Sequence, residues 1–499
     1  MLRSSLCTLV LLIFTASVIF SCNSREVQKE DSGISGKKPN IIFILADDLG
    51  YGDLGFLGQK YIETPNIDRL AQEGMFFTNH YSGATVCAPS RSSFITGLHT
   101  GHTPVRGNLQ VGTEGQYPLP DSVTSIAQVL KDVGYKTGAF GKWGLGFADN
   151  SGDPEKHGFE KFYGYYSQSI AHRYYPAYLW DNGEKVDLEG NDWTEKKIYA
   201  PDVIQQETIS FIEKNKENPF FLFMPIIMPH AELAAPDDGI FQKYRAKFGD
   251  EIAYPAGNGT EYGPDIRLPA YQSQPYPHAT FAAMVERIDT YVGEVVKKLE
   301  ELGLAENTLI IFASDNGAHK EGGADPEFFN SNGPFRGFKR DLYEGGVRTP
   351  MIAWWPGKVQ AGSQSDHVSA FWDLLPTFAD VAGAEIPSGI DGISFLPEIL
   401  GQKDQKTHEY LYWEFHEEGG KQAVRQGNWK AVKLDVFEAE APRIELYDLT
   451  VDLGEEEDIA AYHPEKVKEL EAIMKAAHKS NPVFGLLPSE RSGLTSNQK

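Results

Sequence analysis

Cysteine is scarce in this chain of 499 residues, which contains only Cys7, Cys22 and Cys87. The first two lie in or directly after an apolar N-terminal run, so Cys87 is the one thiol left for the folded body. A single thiol excludes a disulfide framework there. Burial statistics alone assign such a cysteine to a small apolar role, whereas the residues around Cys87, described below, favour a chemical one.

Positive charge is also in short supply. The chain has 46 Lys and Arg residues against 70 Asp and Glu residues, which gives a formal net charge of -24. Such a surface repels phosphate backbones, so we exclude general nucleic-acid binding. Hydrophobic residues make up 41% and charged residues 23%, and both proportions are near the globular average. They exclude a mostly disordered chain, a collagen-like fibre and a membrane protein with many spans.

The N-terminal residues predict an export signal. Arg3 precedes an apolar run over residues 6–20, which is short for a membrane span and fits a signal peptide. The sequence that ends at Cys22 resembles a bacterial lipobox. Phe20 is bulkier than the residue usual at that lipobox position. Lipidation of Cys22 and cleavage of the signal peptide without lipidation therefore both stay open. We expect a periplasmic or cell-surface lipoprotein of a Gram-negative bacterium, with membrane contact only through that lipid.

Buried-strand patterns alternate with helical patterns through the body of the chain. Strands are predicted at 40–46, 136–140, 220–225, 308–313 and 351–355. Helices are predicted at 65–74, 122–133, 202–215, 279–302 and 371–382. This alternation predicts a doubly wound α/β fold, in which helices cover both faces of a large mixed, mostly parallel sheet.

The pattern of predicted elements changes near residue 405, where strands no longer alternate with helices. Short strands are predicted in close succession at 411–415, 423–425, 429–434 and 445–447, followed by a helix over 464–477. They predict a small α+β subdomain with an antiparallel sheet. We therefore divide the chain into signal peptide, flexible tether, catalytic domain and C-terminal subdomain, with bounds 1–21, 22–37, 38–404 and 405–499.

Two of the predicted strands end in oxygen-bearing side chains. Asp47 and Asp48 follow the first strand, and Asp315 and Asn316 follow the strand at 308–313. Ligands of open α/β sheets bind at the carboxyl ends of the strands, and a hard cation such as Ca²⁺ or Mg²⁺ prefers oxygen ligands. Either pair alone is equally well explained by side chains that cap the following turn. Two such pairs favour a metal site.

Cys87 opens the sequence Cys-Ala-Pro-Ser-Arg, which ends at Arg91. Proline two residues after Cys87 suits the first turn of a helix, and a helix N-terminus stabilises an anion and its nucleophile. Arg91 lies one helical turn further on and faces the same way. A pattern of this kind arises by chance about once in a thousand chains of this length.

These residues resemble the signature of the formylglycine-dependent sulfatases, a family of the alkaline-phosphatase superfamily. Further similar motifs lie in the same order along the chain, at 39–48, 314–317, 333–339, 343–346 and 445–449. The resemblance covers roughly residues 38 to 480 and implies an alkaline-phosphatase-like fold. It also implies that a separate maturation enzyme oxidises Cys87 to formylglycine (3-oxoalanine), whose hydrate is the nucleophile.

The resemblance implies a role for each matching residue. Ca²⁺ is held by Asp47, Asp48, Asp315, Asn316 and the modified residue 87. Arg91 stabilises the hydrate, Lys142 and Lys339 grip sulfate oxygens, and His230 protonates the leaving oxygen. These roles are chemically sensible, because cations stabilise charge on a transferring group and histidine is an acid near neutrality. Without the family, both lysines are equally well surface residues, and His230 is slightly better explained as a core histidine.

One position departs from the family pattern. Gly144 stands where the family often has a histidine that contacts the nucleophile. Two outcomes stay open: the hydrate lacks that partner, or another histidine, His102 or His172, reaches in. His172 also resembles a substrate-facing histidine of sulfatases that act on galactose or N-acetylgalactosamine sulfates. Asn332 and Arg336 are further candidates for sugar contacts. Nine aromatic residues between 159 and 180 predict either a wall of the substrate cleft or a cluster beneath a loop.

The sequence therefore predicts an exported sulfatase that removes O-sulfate from a carbohydrate, with galactose or N-acetylgalactosamine sulfate as the first candidates. Screening confines surface repulsion to about 8–10 Å, so a locally positive pocket can still bind a sulfated oligosaccharide or polysaccharide, and short oligosaccharides are favoured. Two alternatives stay open. One is a phosphonate monoester or phosphodiester hydrolase of the same superfamily, and the other is a non-catalytic glycan-binding lipoprotein.

Overall fold

The computed structural model describes residues 37–112, 114–257, 259–261, 267–437 and 442–491. The predicted signal peptide, Cys22 and all but the last residue of the predicted tether lie outside the described residues. The end of the predicted C-terminal subdomain, residues 492–499, lies outside them as well. None of the described helices is long and apolar enough to cross a membrane.

One ten-stranded mixed sheet forms the centre of the molecule. In chain order its strands are β1 (Asn40–Asp47), β2 (Met75–Phe77), β3 (Lys136–Lys142), β4 (Lys161–Tyr165), β5 (Tyr178–Asp181), β6 (Glu184–Asp187), β7 (Phe220–Pro229), β8 (Thr308–Ser314), β9 (Met351–Trp354) and β10 (Ser363–Ser365). Their order across the sheet is β10-β2-β9-β8-β1-β7-β3-β4-β5-β6. The five neighbours from β8 to β4 are parallel, and antiparallel pairing begins at β9 and β5. The predicted mixed, mostly parallel sheet is confirmed.

Helices cover both faces of this sheet. Those of two turns or more in the catalytic part are α1 (Pro65–Glu73), α2 (Cys87–Thr96), α3 (Ile126–Asp132), α4 (Ala200–Asn215), α5 (Gly239–Phe248), α6 (Pro277–Glu301) and α7 (Leu374–Ala382). Successive side chains of a strand point to opposite faces. Ile42 and Ile44 accordingly pack in the core with α1, α4 and α6, whereas Ile41 and Phe43 pack with α2, α3 and α7. Helix α2, which begins at Cys87, is therefore held against the sheet.

A second, antiparallel sheet follows the catalytic part. Its strands are β11 (Leu411–Phe415), β12 (Lys421–Gln426), β13 (Trp429–Leu434) and β14 (Arg443–Asp448), in that order. Helix α8 (Pro464–Ala477) covers one face through Leu470 and Met474. The other face packs through Trp413 and Tyr447 on core residues that include Tyr81 and Trp372. We call this contact the domain seam.

Two local predictions differ from the structure. The helix predicted over 122–133 begins only at Ile126, because the Ser125 side chain accepts a hydrogen bond from the Gln128 backbone N–H and caps the helix there. The aromatic segment 159–180 supplies strands β4 and β5, both missed from the sequence. Two of its rings, Phe162 and Tyr166, are fully buried in the core. Core packing therefore accounts for part of its aromatic content.

Candidate active site

Four neighbouring parallel strands end at one edge of the sheet, and each strand end carries a predicted functional residue. Strand β1 ends at Asp47, β8 ends just before Asp315, β7 ends just before His230, and β3 ends at Lys142. These strands are adjacent in the order β8-β1-β7-β3. Parallel register therefore brings residues that are far apart in sequence into one pocket.

The acidic residues form a compact, fully buried cluster. The backbone N–H of Asp48 donates to Asp315 Oδ1 at 3.1 Å, and Asn316 Nδ2 donates to Asp48 Oδ1 at 2.6 Å. Asp47, Asp48, Asp315 and Asn316 each have 0% exposure. Asp48 adopts a φ of 66°, a left-handed conformation that Asp accepts more readily than most residues. The predicted metal ligands are thus brought together.

Gly317 fixes the loop that carries two of these ligands. Its N–H donates to the Gly346 carbonyl at 3.0 Å. A Cβ atom at position 317 would lie only 1.8 Å from the Gly345 carbonyl oxygen. Only glycine permits this approach, so the residue after Asn316 is determined by packing.

Cys87 is the first residue of α2, as the sequence predicted, and its side chain points into the acidic cluster. Its Sγ donates to Asp47 Oδ1 at 3.2 Å. Burial, together with the neighbouring Asp47, raises the pKa of the Cys87 thiol well above its usual value. A thiol that stays protonated is a poor nucleophile. The encoded cysteine is therefore poorly suited to attack a substrate itself.

Arg91 and Lys142 hold the inner side of the cluster. Arg91 donates to Asp315 Oδ2 at 2.9 Å and to the Lys142 carbonyl at 2.6 Å. Lys142 Nζ donates to Asp47 Oδ2 at 2.6 Å. Burial favours a higher pKa for Asp47, but the cations Lys142 and Arg91 hold it well below its usual range. Asp47 is therefore ionised.

Lys339 and His230 form the opposite side. Lys339 Nζ lies 2.8 Å from Asp48 Oδ2, 2.9 Å from His230 Nε2 and 3.3 Å from Glu321 Oε2. Burial opposes the charge on Lys339, but Asp48 and Glu321 raise its pKa well above the usual value. The lysine is consequently an ammonium group held between two carboxylates.

The ring of His230 is oriented by its neighbours. Its Nδ1 faces the Ala231 carbonyl, an acceptor, so Nδ1 carries the hydrogen and Nε2 accepts from Lys339. Burial and the charge of Lys339 lower the pKa of His230 well below its usual value. The ring of His172 stacks on it with centroids 4.6 Å apart. In this arrangement the shared proton resides on Lys339 Nζ.

The residues present fit a hard divalent cation. Asp47, Asp48, Cys87 and His230 each offer a ligand atom, and these atoms lie within 4.8 Å of one another. Asn316 Oδ1 is buried and has no hydrogen-bond partner in the described part of the chain. A buried oxygen without a partner requires an explanation such as a bound ion. Burial and the adjacent Asp47 raise the pKa of Asp315 to about 7, because a nearby carboxylate disfavours a second negative charge.

Three predicted sugar-contact residues are engaged elsewhere. His102 Nδ1 lies 2.9 Å from Asp391 Oδ1, and the backbone N–H of Asp391 donates to the Gly97 carbonyl at 2.9 Å, just beyond the C-terminal end of α2. Arg336 donates to Tyr447 and the Glu455 carbonyl at the domain seam. The third, Asn332, donates to the Gly337 carbonyl within its own loop. The structure joins His172, but not these three, to the cluster.

The space beside Gly144 is filled by Gln168. A Cβ atom at position 144 would lie 2.6 Å from Gln168 Nε2, and Gly144 has a φ of 74°. Gln168 is 7% exposed, and its Nε2 has no hydrogen-bond partner among the described residues. A histidine at position 144 therefore has no room unless Gln168 moves.

Sequence reasoning missed Glu321, which contacts Lys339, Arg340 and Tyr271 at the mouth of the pocket. It also missed Asn108, whose Oδ1 accepts from the backbone N–H of Ala88, the residue after Cys87. Both lie in polar loops without periodicity. The one available signal for Glu321 was its position five residues after Asn316.

Comparison with known families agrees with this geometry. A family model described as Sulfatase matches residues 39–384. A second model, described as the C-terminal part of N-sulphoglucosamine sulphohydrolase, matches residues 333–481. The chain therefore belongs to the sulfatase family, and it is a hydrolase of sulfuric ester bonds.

Individual relatives extend this assignment. The chain is 32% identical to N-acetylgalactosamine-6-sulfatase of Homo sapiens over 74% of this chain and 67% of that protein. It is 28% identical to N-acetylgalactosamine-6-O-sulfatase of Bacteroides thetaiotaomicron, over 92% of this chain and 96% of that protein. The solved structure of Ps i-CgsB in complex with k-i-k-neocarrahexaose matches with a TM-score of 0.72 and 29% identity, over 91% of this chain and 96% of the other.

Proposed function

We propose that this sulfatase removes an O-sulfate group from a sulfated carbohydrate, using formylglycine at position 87 and bound Ca²⁺. An acidic cluster that offers oxygen ligands to a cation lies next to Cys87, together with four basic side chains. This convergence is the observation that carries the proposal. The four are Arg91, Lys142, His230 and Lys339. The acidic side chains suit a metal ion, and the basic side chains suit the oxygens of a tetrahedral, anionic sulfate ester.

Formylglycine supplies a hydrated aldehyde as the oxygen nucleophile, and Ca²⁺ supplies positive charge for the sulfate oxygens. The side chains of the protein orient residue 87 and stabilise the charge of the sulfate. Arg91 fixes the first turn of α2 against Asp315 and so orients residue 87. Lys142 and Lys339 approach from opposite sides, where they neutralise the sulfate and stabilise charge as the ester bond breaks.

The leaving sugar oxygen needs a proton. His230 Nε2 and Lys339 Nζ, 2.9 Å apart, share one. We assign its delivery to this pair and not to His230 alone, because the pKa of His230 is lowered by burial and by Lys339. The sequence predicted His230 as the acid, and Lys339 now joins it.

The carbohydrate substrate is supported by the relatives. Two of them are named as N-acetylgalactosamine-6-sulfatases, and a third was solved in complex with k-i-k-neocarrahexaose. His172, stacked on His230, is positioned to contact the sugar ring that leaves. N-Acetylgalactosamine 6-sulfate and sulfated galactose are therefore the first substrates to try.

We also propose export and lipidation at Cys22, with maturation of Cys87 by a separate formylglycine-generating enzyme. The support is the N-terminal sequence and the Cys-Ala-Pro-Ser-Arg motif. Labelling of the cells with a fatty-acid probe, compared between the natural chain and Cys22→Ala, tests the anchor. Unchanged labelling of the purified protein in the variant would contradict it.

The central test combines mass spectrometry with a turnover assay on protein co-expressed with a maturation enzyme. We expect the peptide that contains residue 87 to carry the aldehyde mass, and we expect sulfate release from N-acetylgalactosamine 6-sulfate. A phosphonate monoester of the same sugar, N-acetylgalactosamine 6-methylphosphonate, serves as the comparison substrate and should react far more slowly. An unmodified thiol in protein that still releases sulfate would overturn the mechanism, and faster phosphonate turnover would overturn the substrate class.

A further inference from the structure

Glu321 is a carboxylate at the mouth of the pocket, and its two oxygens contact different cations. Its Oε2 lies 3.3 Å from Lys339 Nζ, and its Oε1 accepts from Arg340 Nη1. The hydroxyl of Tyr271 donates to Oε2 at 3.0 Å. Burial favours a raised pKa for Glu321, but the cations Lys339 and Arg340 hold it far below its usual value. Glu321 is therefore an ionised side chain held by three donors.

The backbone of Glu321 is connected to the strand that precedes His230. The N–H of Glu321 donates to His319 Nδ1 at 3.2 Å, so the hydrogen of this ring lies on Nε2. His319 Nε2 in turn donates to the carbonyl of Pro229, the last residue of β7, at 3.1 Å. The rings of His319 and His230 are nearly parallel, with centroids 5.8 Å apart. His319 thus fixes the loop of Glu321 beside His230.

The ammonium group of Lys339 depends on these neighbours for its position. Lysine carries its charge on a flexible four-carbon stem, so acceptors on several sides are needed to keep Nζ in one place. The acceptors are Asp48 Oδ2 at 2.8 Å, His230 Nε2 at 2.9 Å and Glu321 Oε2 at 3.3 Å. Asp48 is also a proposed ligand of the cation. Glu321 is therefore the carboxylate that Lys339 does not share with the proposed ion.

We propose that Glu321 is a positioning residue, which holds Lys339 Nζ against His230 so that the pair can deliver its proton. The inference rests on the proposed function and adds to it a residue that acts through Lys339 and not on the substrate. When the S–O bond breaks, its electron pair stays on the sugar oxygen, which takes the proton of the pair. Glu321 neither gains nor loses a proton. A displacement of about 1 Å can cost about a hundredfold in rate.

Glu321→Gln removes the charge that holds Lys339 and keeps the size of the side chain. We expect kcat for N-acetylgalactosamine 6-sulfate to fall by about tenfold or more, whereas KM should stay within about twofold. Calorimetry on Cys87→Ser, with and without Glu321→Gln, measures the Kd of the same sugar without turnover, and this Kd should also stay within about twofold. A loss of affinity as large as the loss of kcat/KM would overturn the inference, because Glu321 would then bind the sugar directly.

Glu327→Gln is the matched control. Glu327 also pairs with a lysine, since its Oε1 lies 2.8 Å from Lys320 Nζ, but its side chain is 75% exposed. An exposed ion pair contributes little, so kcat should stay within about twofold of the wild type. Glu321→Asp keeps the charge and should recover part of the kcat that Glu321→Gln loses. An aspartate variant no more active than the glutamine variant would count against a role for the charge.

Crystal structures of the wild type and of Glu321→Gln test the inference without turnover. In the wild type we expect Lys339 Nζ within hydrogen-bond distance of His230 Nε2, and in the variant we expect the two atoms to lie more than about 3.5 Å apart. An unmoved Lys339 in the variant would overturn the inference and leave the proposed function intact. A wild type that releases no sulfate would overturn the proposed function, and the two structures would still decide whether Glu321 holds Lys339.

Discussion

The pocket can be compared with a second buried group of charges at the domain seam. There, Lys430 Nζ lies 2.8 Å from Glu344 Oε1 and 3.0 Å from Glu455 Oε1. Glu344 Oε2 accepts from Arg348 at 3.0 Å and from the Tyr81 hydroxyl at 2.7 Å. Lys430, Glu344 and Glu455 are fully buried, at 0% exposure. This group, which we call the seam cluster, fastens the C-terminal sheet to the catalytic part.

The two clusters contain similar residues but differ in how they are satisfied. In the seam cluster Lys430 sits between two carboxylates, so the chain supplies its own counter-charge. In the pocket, Asp48, Asp315 and Asn316 crowd together, and Asn316 Oδ1 finds no partner among the described residues. Each cluster leaves one buried oxygen without a hydrogen bond among the described residues, Glu455 Oε1 at the seam and Asn316 Oδ1 in the pocket. Glu455 Oε1 lies 3.0 Å from the Lys430 ammonium, whereas Asn316 belongs to the acidic cluster, where a bound cation would satisfy its oxygen. Substitutions should therefore reduce stability at the seam and activity in the pocket.

The largest expected effect is on activity. Cys87→Ala removes the side chain that becomes the nucleophile, so we expect kcat to fall by about 10⁴-fold or more. The small apolar replacement fits the buried site, and the melting temperature should change by no more than about 2 °C. Sulfate release and calorimetry measure the two quantities. Substantial residual turnover would mean that residue 87 is not the nucleophile.

The seam cluster should show the opposite response. Lys430→Met leaves Glu344 and Glu455 buried without their shared cation, so we expect a loss of about 3 kcal/mol in the free energy of unfolding. The kcat of the folded enzyme should stay within about twofold of the wild type. Urea unfolding measures the loss, and adding Glu455→Gln to Lys430→Met should recover part of it. A large fall in kcat at full stability would contradict the comparison.

The pocket was more predictable from sequence than the seam cluster. Asp47, Asp315 and Lys142 end or directly follow strands whose apolar runs are plain in the sequence, and parallel packing then forces their ends together. The motif from Cys87 to Arg91 is local, so its helix could also be predicted. These are features that short-range pattern and sheet topology determine.

Side-chain pairings between distant loops could not be predicted in this way. Glu321, which completes the pocket, and Lys430, which closes the seam, are charged residues that a sequence pattern places in solvent. Gln168 fills the space at Gly144 only because strand β4 lies beside β3, and β4 was itself hidden in an aromatic segment. Arg336 was expected near the sugar but binds across the seam. Each of these depends on tertiary packing, which overrides local preference.

Added Ca²⁺ should raise the free energy of unfolding through the pocket and not through the seam cluster. Because the ion binds the folded pocket only, Ca²⁺ at a hundredfold excess over its Kd should add about 2.7 kcal/mol to the free energy of unfolding. Asp315→Ala, which removes a proposed ligand, should lose most of this gain. Lys430→Met, although less stable, should keep it in full. Thermal unfolding with EGTA and with CaCl₂ measures both, and an equal response of the two variants would refute the assignment of the ion to the pocket.

The smallest expected effect is a pH dependence at the seam. Burial, aided by Glu344 and opposed by Lys430, raises the pKa of Glu455 to about 7. The folded state therefore holds this proton more tightly than the unfolded state does. The stabilisation is complete below pH 4.5, the ordinary value, and is lost as the pH rises through 7. Between pH 5 and pH 8 we expect the free energy of unfolding to fall by about 1–2 kcal/mol from this group.

Urea unfolding of wild type and Glu455→Gln at both pH values isolates the contribution of Glu455 to this fall, because the amide cannot titrate and other groups cancel in the difference. Parallel losses in the two proteins would show that Glu455 titrates as it does in the unfolded chain.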